Sequence, residues 1–247
     1  MDREQLVATA GGFLVAGAVF AVMFYLLDAS AVLAAVGRAD VSLLVVVAAT
    51  ILLWNVSWGF ELWTVLGALD VDAPVHTALL VNAAGAFANH VTPFGQAGGE
   101  PVTAWLLTQS AGTDYEVSLA SIASLDAINV VPSLSFALLG ATYYVATVPS
   151  LPVELSGLPT ALAAGVAAVA VAAALAWRFR EQLGEHVGGA VFRAVHAVTT
   201  HVPRLSPPSR DALRQRVTGF TGALERVATD RRRLATAVGL SGVGWGF

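Results

Sequence analysis

The sequence predicts an all-α fold: a polytopic bundle of transmembrane helices, interrupted by a Gly/Pro loop that is either re-entrant or a broken helix. Three observations predict it. Of 247 residues, 56% are hydrophobic and only 12% charged, about half the charge of a typical soluble domain. The mean hydropathy is +0.71, and the apolar residues gather into runs of about twenty, long enough to cross ~30 Å of hydrocarbon at ~1.5 Å per residue. Between two such runs lie two prolines and three glycines in the nine residues 93–101, a density that predicts an interruption of the helix.

Val7 to Leu27 contains no charge and reads as a first span, flanked by Arg3 and Asp28. Ala29-Ser30-Ala31 matches a small-x-small cleavage pattern, but the run exceeds a signal h-region of ~7–15 residues and its n-region offers only Arg3 between two acids. A second span starts at Val41 and stays apolar through Phe60, with Glu61 following and a further apolar turn to Leu69. Twenty residues suffice to cross, which predicts that Glu61 lies near the far interface. Trp54, Trp58 and Trp63 gather at that end, as an aromatic belt does.

Pro74 to His90 is moderately apolar and broken by Asn82, Gly85, Asn89 and His90. It runs into the Gly/Pro loop, and a short helix, Pro101 to Gln109, is expected after it. The unit is either a re-entrant hairpin or two spans. Irregular backbone at membrane depth is tolerated only where protein or a water-filled cavity satisfies it. Tyr115 to Val148 and Leu158 to Trp177 are two further spans, separated by the proline-rich loop Pro149 to Pro159. Leu234 to Phe247 is apolar but too short to cross, so the chain is expected to stop inside a further helix of a longer protein. The whole, 1–247, reads as a single membrane domain.

Charge is partitioned along the chain. Residues 178–233 hold eleven arginines against five acids, the rest two arginines against twelve acids, and there is no lysine. Within the basic stretch Leu183, Val187, Val191, Val195, Val198 and Val202 repeat at helical spacing. So do Leu213, Val217, Phe220, Leu224 and Val227, with Ser209 placed as an N-cap. These are two amphipathic helices, whose arginines either hold anionic headgroups or set topology and pack on each other. The positive-inside rule places the N-terminus and residues 178–233 on the cytoplasmic side of a multi-pass cell-membrane protein. An even number of crossings separates them whether or not the loop unit spans.

Several chemistries are disfavoured. Without cysteine there is no disulfide or thiolate chemistry, the five histidines form no metal-binding pair, and no glycine pattern for nucleotides occurs. No cofactor, metal or nucleic-acid partner is expected, and Arg231 to Arg233 reads as a juxtamembrane anchor.

Two constellations remain as site candidates. In the first, Pro101 after Glu100 is expected to open a helix whose free N–H groups at Val102 and Thr103 meet a lipid phosphate. Glu100 and His90 add an ionisable pair, and a tight turn whose glycines merely permit close packing is the structural alternative. The second is a polar stripe, Ser118, Ser121, Asp126, Asn129 and Ser133, which share one helical face. An intramembrane Asp costs roughly 2.5–3.5 kcal/mol on insertion scales and marks a functional position by default, a bundle-locking hydrogen bond being the alternative.

The string from Asn89 to Pro101, with Thr92 and Pro93 followed by Gly98, Gly99, Glu100 and Pro101, resembles the signature of the flippase-like membrane family typified by the transmembrane region of lysylphosphatidylglycerol synthases. It departs from the commonest form at Gln96, where a basic or small residue is expected. The resemblance implies a polytopic domain that moves a charged or glycosylated lipid between leaflets. It also implies fusion or association, in some relatives, with a lipid aminoacyltransferase or a glycosyltransferase.

The expected substrate-binding set is therefore His90, Thr92, Pro93, Gly95, Gly98, Gly99, Glu100, Pro101, Asp126 and Asn129, with anionic or polyprenyl-linked membrane lipids as partners. An intramembrane transferase using His90 and Glu100 as acid and base, and a non-catalytic scaffold for a cell-envelope glycosyltransferase, are the competing function classes. The transferase lacks a visible nucleophile or metal.

Overall fold

The computed structural model describes residues 29–92, 95–147, 157–179 and 209–247, together with residues 14, 17, 18, 20–22 and 24–26. Most of the first span, Pro93 of the loop, much of the Pro149 to Pro159 connection and the first basic amphipathic helix (183–202) lie outside the described residues.

Among the described residues the secondary structure is helical: α1 (Ala29–Arg38), α2 (Val41–Ala68), α3 (Val75–Val91), α4 (Gln96–Ala111), α5 (Tyr115–Thr147), α6 (Leu158–Arg178), α7 (Arg210–Thr229) and α8 (Arg231–Trp245). Asp40 caps α2, accepting from the Ser42 N–H at 2.8 Å and the Ser42 hydroxyl at 2.7 Å. Those hydrogen bonds hold its carboxyl below the ordinary carboxylate range. The predicted cap at Ser209 is present, its hydroxyl accepting from the Ala212 N–H at 3.1 Å.

Cross-helix contacts fix the packing directions. Asn82 of α3 donates to the Asn55 carbonyl of α2, and the Trp63 indole of α2 donates to the Ala73 carbonyl below α3, so these helices run antiparallel. Helices α3 and α4 form an antiparallel hairpin. In it a side chain added at Gly85 would meet Thr103, and one at Gly99 would meet Asn89. Thr108 of α4 donates to Ser118 of α5 at 2.9 Å and Gln96 reaches Asp126, which continues the antiparallel order. Helix α8 lies antiparallel to α2, with Gly244 against Trp58 and Gly67 against Arg233. Ser57 ties the same pair by donating to the Leu240 carbonyl at 2.7 Å.

The lengths decide how far the hairpin reaches. Helices α3 and α4, at 17 and 16 residues, are about 25 Å long, against roughly 42 Å for the 28-residue α2 and 50 Å for the 33-residue α5. The tip of the hairpin therefore ends beside Asp126, partway along α5. Burial follows the same division. The core is built from the second half of α2, the hairpin, the first half of α5, and α7 and α8, with Leu62, Leu66, Ala104, Leu107 and Ala120 at or near zero exposure. Beyond the tip, α2 and α5 expose apolar side chains such as Leu52 and Leu139, each 66% exposed. A continuous exposed apolar surface of this kind belongs against lipid or another protein surface.

Helix α2 runs through Glu61 and the apolar turn beyond it to Ala68, and Glu61 is buried in the core. One expectation is corrected. Helix α4 begins at Gln96, not Pro101. Gly98, Gly99, Glu100 and Pro101 thus lie inside the helix, and Val102 and Thr103 are in its second turn and beyond. Gly95, at φ +57, makes the reversal, and its carbonyl accepts from both the Gly98 and Gly99 N–H groups, at 3.1 and 2.9 Å. Pro101 lies in the second turn, where it removes the hydrogen bond that the Ala97 carbonyl would otherwise accept.

The period expected of the second amphipathic helix is present. Leu213 and Val227 of α7 are buried, and Val217, Phe220 and Leu224 are partly buried. This helix packs on the first half of α5, where Gly219 lies against Glu116.

Candidate functional site

The hairpin tip is organised by Thr92. Its hydroxyl donates to the Ala88 carbonyl at 2.9 Å, closing the last turn of α3, and to the Gly95 carbonyl at 2.8 Å, across the turn. The Gly95 N–H returns to the Thr92 carbonyl at 3.0 Å. Gly98 and Gly99 then let α4 leave the turn in contact with α3: a Cβ at Gly98 would sit 2.9 Å from the Thr92 Cβ, and one at Gly99 2.7 Å from the Asn89 backbone nitrogen. The packing alternative for these two glycines is thus what the structure shows, and it has a consequence for the site. Close approach of α4 to α3 brings Gln96 and Glu100 to the face of α5 that carries Asp126.

There the side chains converge. Gln96 Nε2 donates to Asp126 Oδ1 at 3.2 Å. The Glu100 carboxyl lies within hydrogen-bonding reach of Asp126, and Glu61 of α2 lies within electrostatic reach of it. Three carboxyls from three helices are therefore linked electrostatically through Asp126. Glu61 is 0% exposed, and both of its carboxylate oxygens lack a hydrogen-bond partner. One turn earlier on the same face, the Trp58 indole nitrogen is also buried and unpartnered, as is the Asn89 side-chain oxygen near the tip. Among the described residues no basic side chain pairs with any of the three carboxyls.

Energetics make Glu61 the most informative of these groups. Removing a charged carboxylate from water costs several kcal/mol even after relaxation. A typical hydrogen bond returns only about 0.5–1.5 kcal/mol, and Glu61 has none. Packing does not account for it.

The polar stripe of α5 divides between two neighbours. Ser118 accepts from Thr108 of α4, while Asn129 Oδ1 accepts a short hydrogen bond from the Ser241 hydroxyl of α8. Asn129 therefore locks α5 to α8, and Asp126 is the stripe residue that faces the hairpin tip. Pro132, one turn further, removes the N–H that the Ile128 carbonyl would otherwise accept. His90 is exposed, its Nδ1 bonded to the Ala86 carbonyl at 2.7 Å. Among the described residues no ion pair joins it to Glu100. Pro93 lies outside the described residues.

The model of the lysylphosphatidylglycerol synthase transmembrane region matches residues 9–247 of the chain. The chain belongs to this family. Neither the curated proteins nor the solved structures yield a match. Membership of the lysylphosphatidylglycerol synthase transmembrane family makes it a membrane protein of lipid and cell-envelope biology, and the two helices among the described residues that are long and apolar enough to cross a membrane, α2 and α5, agree with that. Asp126 is eleven residues into α5 and Glu61 seven residues before the end of α2, which places them roughly 17 and 11 Å from the end of the bundle where those helices meet their loops.

Glu61 is the member of the cluster that sequence reasoning left out of the site. The signal was available: apolar residues resume at Leu62 and continue to Leu69, so the Glu interrupts a helix rather than ending one. Its four-residue spacing from Ser57 and Val65, both buried, puts it on the inward face.

Proposed function

We propose that the protein moves a charged or glycosylated lipid between membrane leaflets, and that the α3–α4 hairpin is re-entrant, carrying the headgroup site at its tip. The observation that supports this most is the set of buried, unpartnered polar groups in the bundle: both oxygens of Glu61, the Trp58 indole and, near the tip where Gln96 meets Asp126, the Asn89 amide oxygen. Polar groups at membrane depth without protein partners are what a site for a polar headgroup requires. Hairpins shorter than the ~30 Å core, meeting long helices at mid-depth, are how a broken-helix site is built. The acceptor-rich cluster favours headgroups that donate hydrogen bonds, such as the hydroxyls of a glycerol or a polyprenyl-linked sugar. The transferase reading needs a nucleophile or metal beside His90 and Glu100, and among the described residues no group of three metal-ligating side chains is present to favour it.

A leaflet assay tests the function. Reconstituted into phosphatidylglycerol vesicles, the protein is expected to make a fluorescent phosphatidylglycerol or polyprenyl-linked sugar lipid in the inner leaflet accessible to an external quencher. Rates equal to those of protein-free vesicles for both probes would refute the reading.

The orientation proposed with it has the N-terminus and residues 178–233 in the cytoplasm, since arginine-rich flanks stay inside. The chain has no cysteine, so single cysteines can be introduced at Ser150 and Ser209 without background. They are expected to label from opposite sides of the membrane with an impermeant maleimide, Ser150 from outside. Labelling of both from outside would overturn the topology.

A further inference from the structure

Glu61, Asp126 and Glu100 stand on α2, α5 and α4, and the protein offers them little neutralisation. The helices packed on α2 are α3, α5, α7 and α8. On α3 the ionisable groups are His76 and His90, both exposed. On α5 they are Asp126, with Tyr115 and Glu116 half-buried in the first turn and Tyr143 and Tyr144 exposed at the far end. The described ionisable side chains of α7 are exposed, as are those of Arg231 and Arg232 on α8. Arg233 folds over Gly67, six residues from Glu61 toward the end of the bundle, and faces Asp230 at 3.7 Å. The acidic Asp126 is thus the charged neighbour that acts on Glu61. Nor do the carboxyls converge as metal ligands do: among the described residues no three acidic or imidazole groups lie close enough to hold one ion. What buried carboxyls on separate helices exchange without a counter-ion is protons, as in the carboxylate relays of pumps and transporters.

We propose that Glu61, with the Asp126–Glu100 pair, is a proton-binding site that couples lipid movement to proton movement. The inference rests on the lipid-transport reading above. With the headgroup absent, Glu61 holds a proton. When a headgroup enters at the hairpin tip, its donors take the Glu61 oxygens and the proton leaves to water on the side of entry. When the headgroup departs on the other side, Glu61 takes a proton from that side. One proton thus crosses opposite to each lipid, with no bond to the lipid made or broken. Gln96, held on Asp126, positions the pair against the tip.

The experiment uses the full chain in phosphatidylglycerol vesicles with a fluorescent phosphatidylglycerol, the membrane potential clamped and a pH difference imposed. For one proton per lipid, the steady-state ratio of the probe between leaflets is expected to shift about tenfold per pH unit, since one unit equals the free energy of a tenfold concentration ratio. Glu61→Gln, which keeps size and removes the exchangeable proton, is expected to slow the probe's movement and to make the ratio that it reaches independent of the pH difference. Glu61→Asp is expected to restore the response. A wild-type ratio indifferent to the pH difference, with movement intact, would overturn the coupling and leave the lipid-transport reading standing.

Infrared difference spectra between wild type and Glu61→Gln supply a readout independent of transport. A protonated-carboxyl band present at neutral pH and lost in the variant supports the proton site, and its absence in the wild type would overturn it. If the wild type moves neither probe lipid, the transport reading and the coupling both fall, and the proton site is judged by that band alone.

Discussion

Gly99→Ala is expected to destabilise the bundle by about 1–3 kcal/mol or more, the range for forcing an extra carbon into a filled site. The new Cβ would lie 2.7 Å from the Asn89 nitrogen and 2.8 Å from its Cα. Both are backbone atoms of a helix, so neither can rotate away, and α3 and α4 must separate. Two comparisons make the cause specific. Asn89→Ala removes the side-chain oxygen but not those backbone atoms, so it is not expected to rescue Gly99→Ala. Gly140→Ala on α5 puts the same carbon into open space and replaces Gly with a better helix former, so it is expected to be neutral or to stabilise by up to about 1 kcal/mol. Thermal unfolding in detergent, followed by the helical circular dichroism signal, measures all three. Equal stability of Gly99→Ala and wild type would show that the hairpin does not close as described. Because the same contact brings Gln96 and Glu100 to Asp126, lipid movement is expected to fall with stability in this variant.

Asp126→Leu is expected to do the opposite on the two readouts. A carboxylate at mid-span costs roughly 2.5–3.5 kcal/mol on insertion scales, so its removal should leave membrane insertion intact or improve it. Lipid movement is expected to fall by about ten- to a hundredfold, the equivalent of losing one hydrogen bond to a charged group, about 1.5–3 kcal/mol. Asp126 is the residue that Gln96 and Glu100 meet from α4 and that Glu61 senses from α2, so its loss disconnects all three. Asn129→Leu separates site from scaffold. It breaks the hydrogen bond to Ser241 between α5 and α8 and is expected to lower stability more than Asp126→Leu does. Insertion and expression are compared by quantifying protein in purified membranes, and movement by the leaflet assay. Full activity of Asp126→Leu would reduce Asp126 to a packing residue.

Much of the architecture was legible because the membrane imposes a simple rule: apolar runs of crossing length become helices. The spans beginning at Val41, Tyr115 and Leu158 appear as α2, α5 and α6 with starts matching the apolar runs. The heptad-like spacing of Leu213 to Val227 and the cap at Ser209 likewise needed only local periodicity and a side-chain oxygen. The boundary at Pro101 was not legible. Proline and glycine statistics describe an isolated helix, whereas here Gly98 and Gly99 pack closely on α3, and tertiary packing outweighs the roughly 1 kcal/mol propensity cost per glycine.

By itself, then, the sequence determined that the chain is helical and apolar enough for a membrane, where its arginines gather, which family it resembles, and that Asp126 and Glu100 are acids within its apolar segments. Only the tertiary structure decided which of these meet. It turned Asn129 toward Ser241 and Asp126 toward Gln96, though the two lie less than one turn apart on the same helix. It left His90 outside, and it drew Glu61 into the core beside Asp126. The physical reason is that periodicity gives the face of a helix but not its neighbour. A carboxyl's role depends on which helix covers it, and contacts between residues as distant in sequence as 96 and 126 are set by the closeness that Gly98 and Gly99 allow.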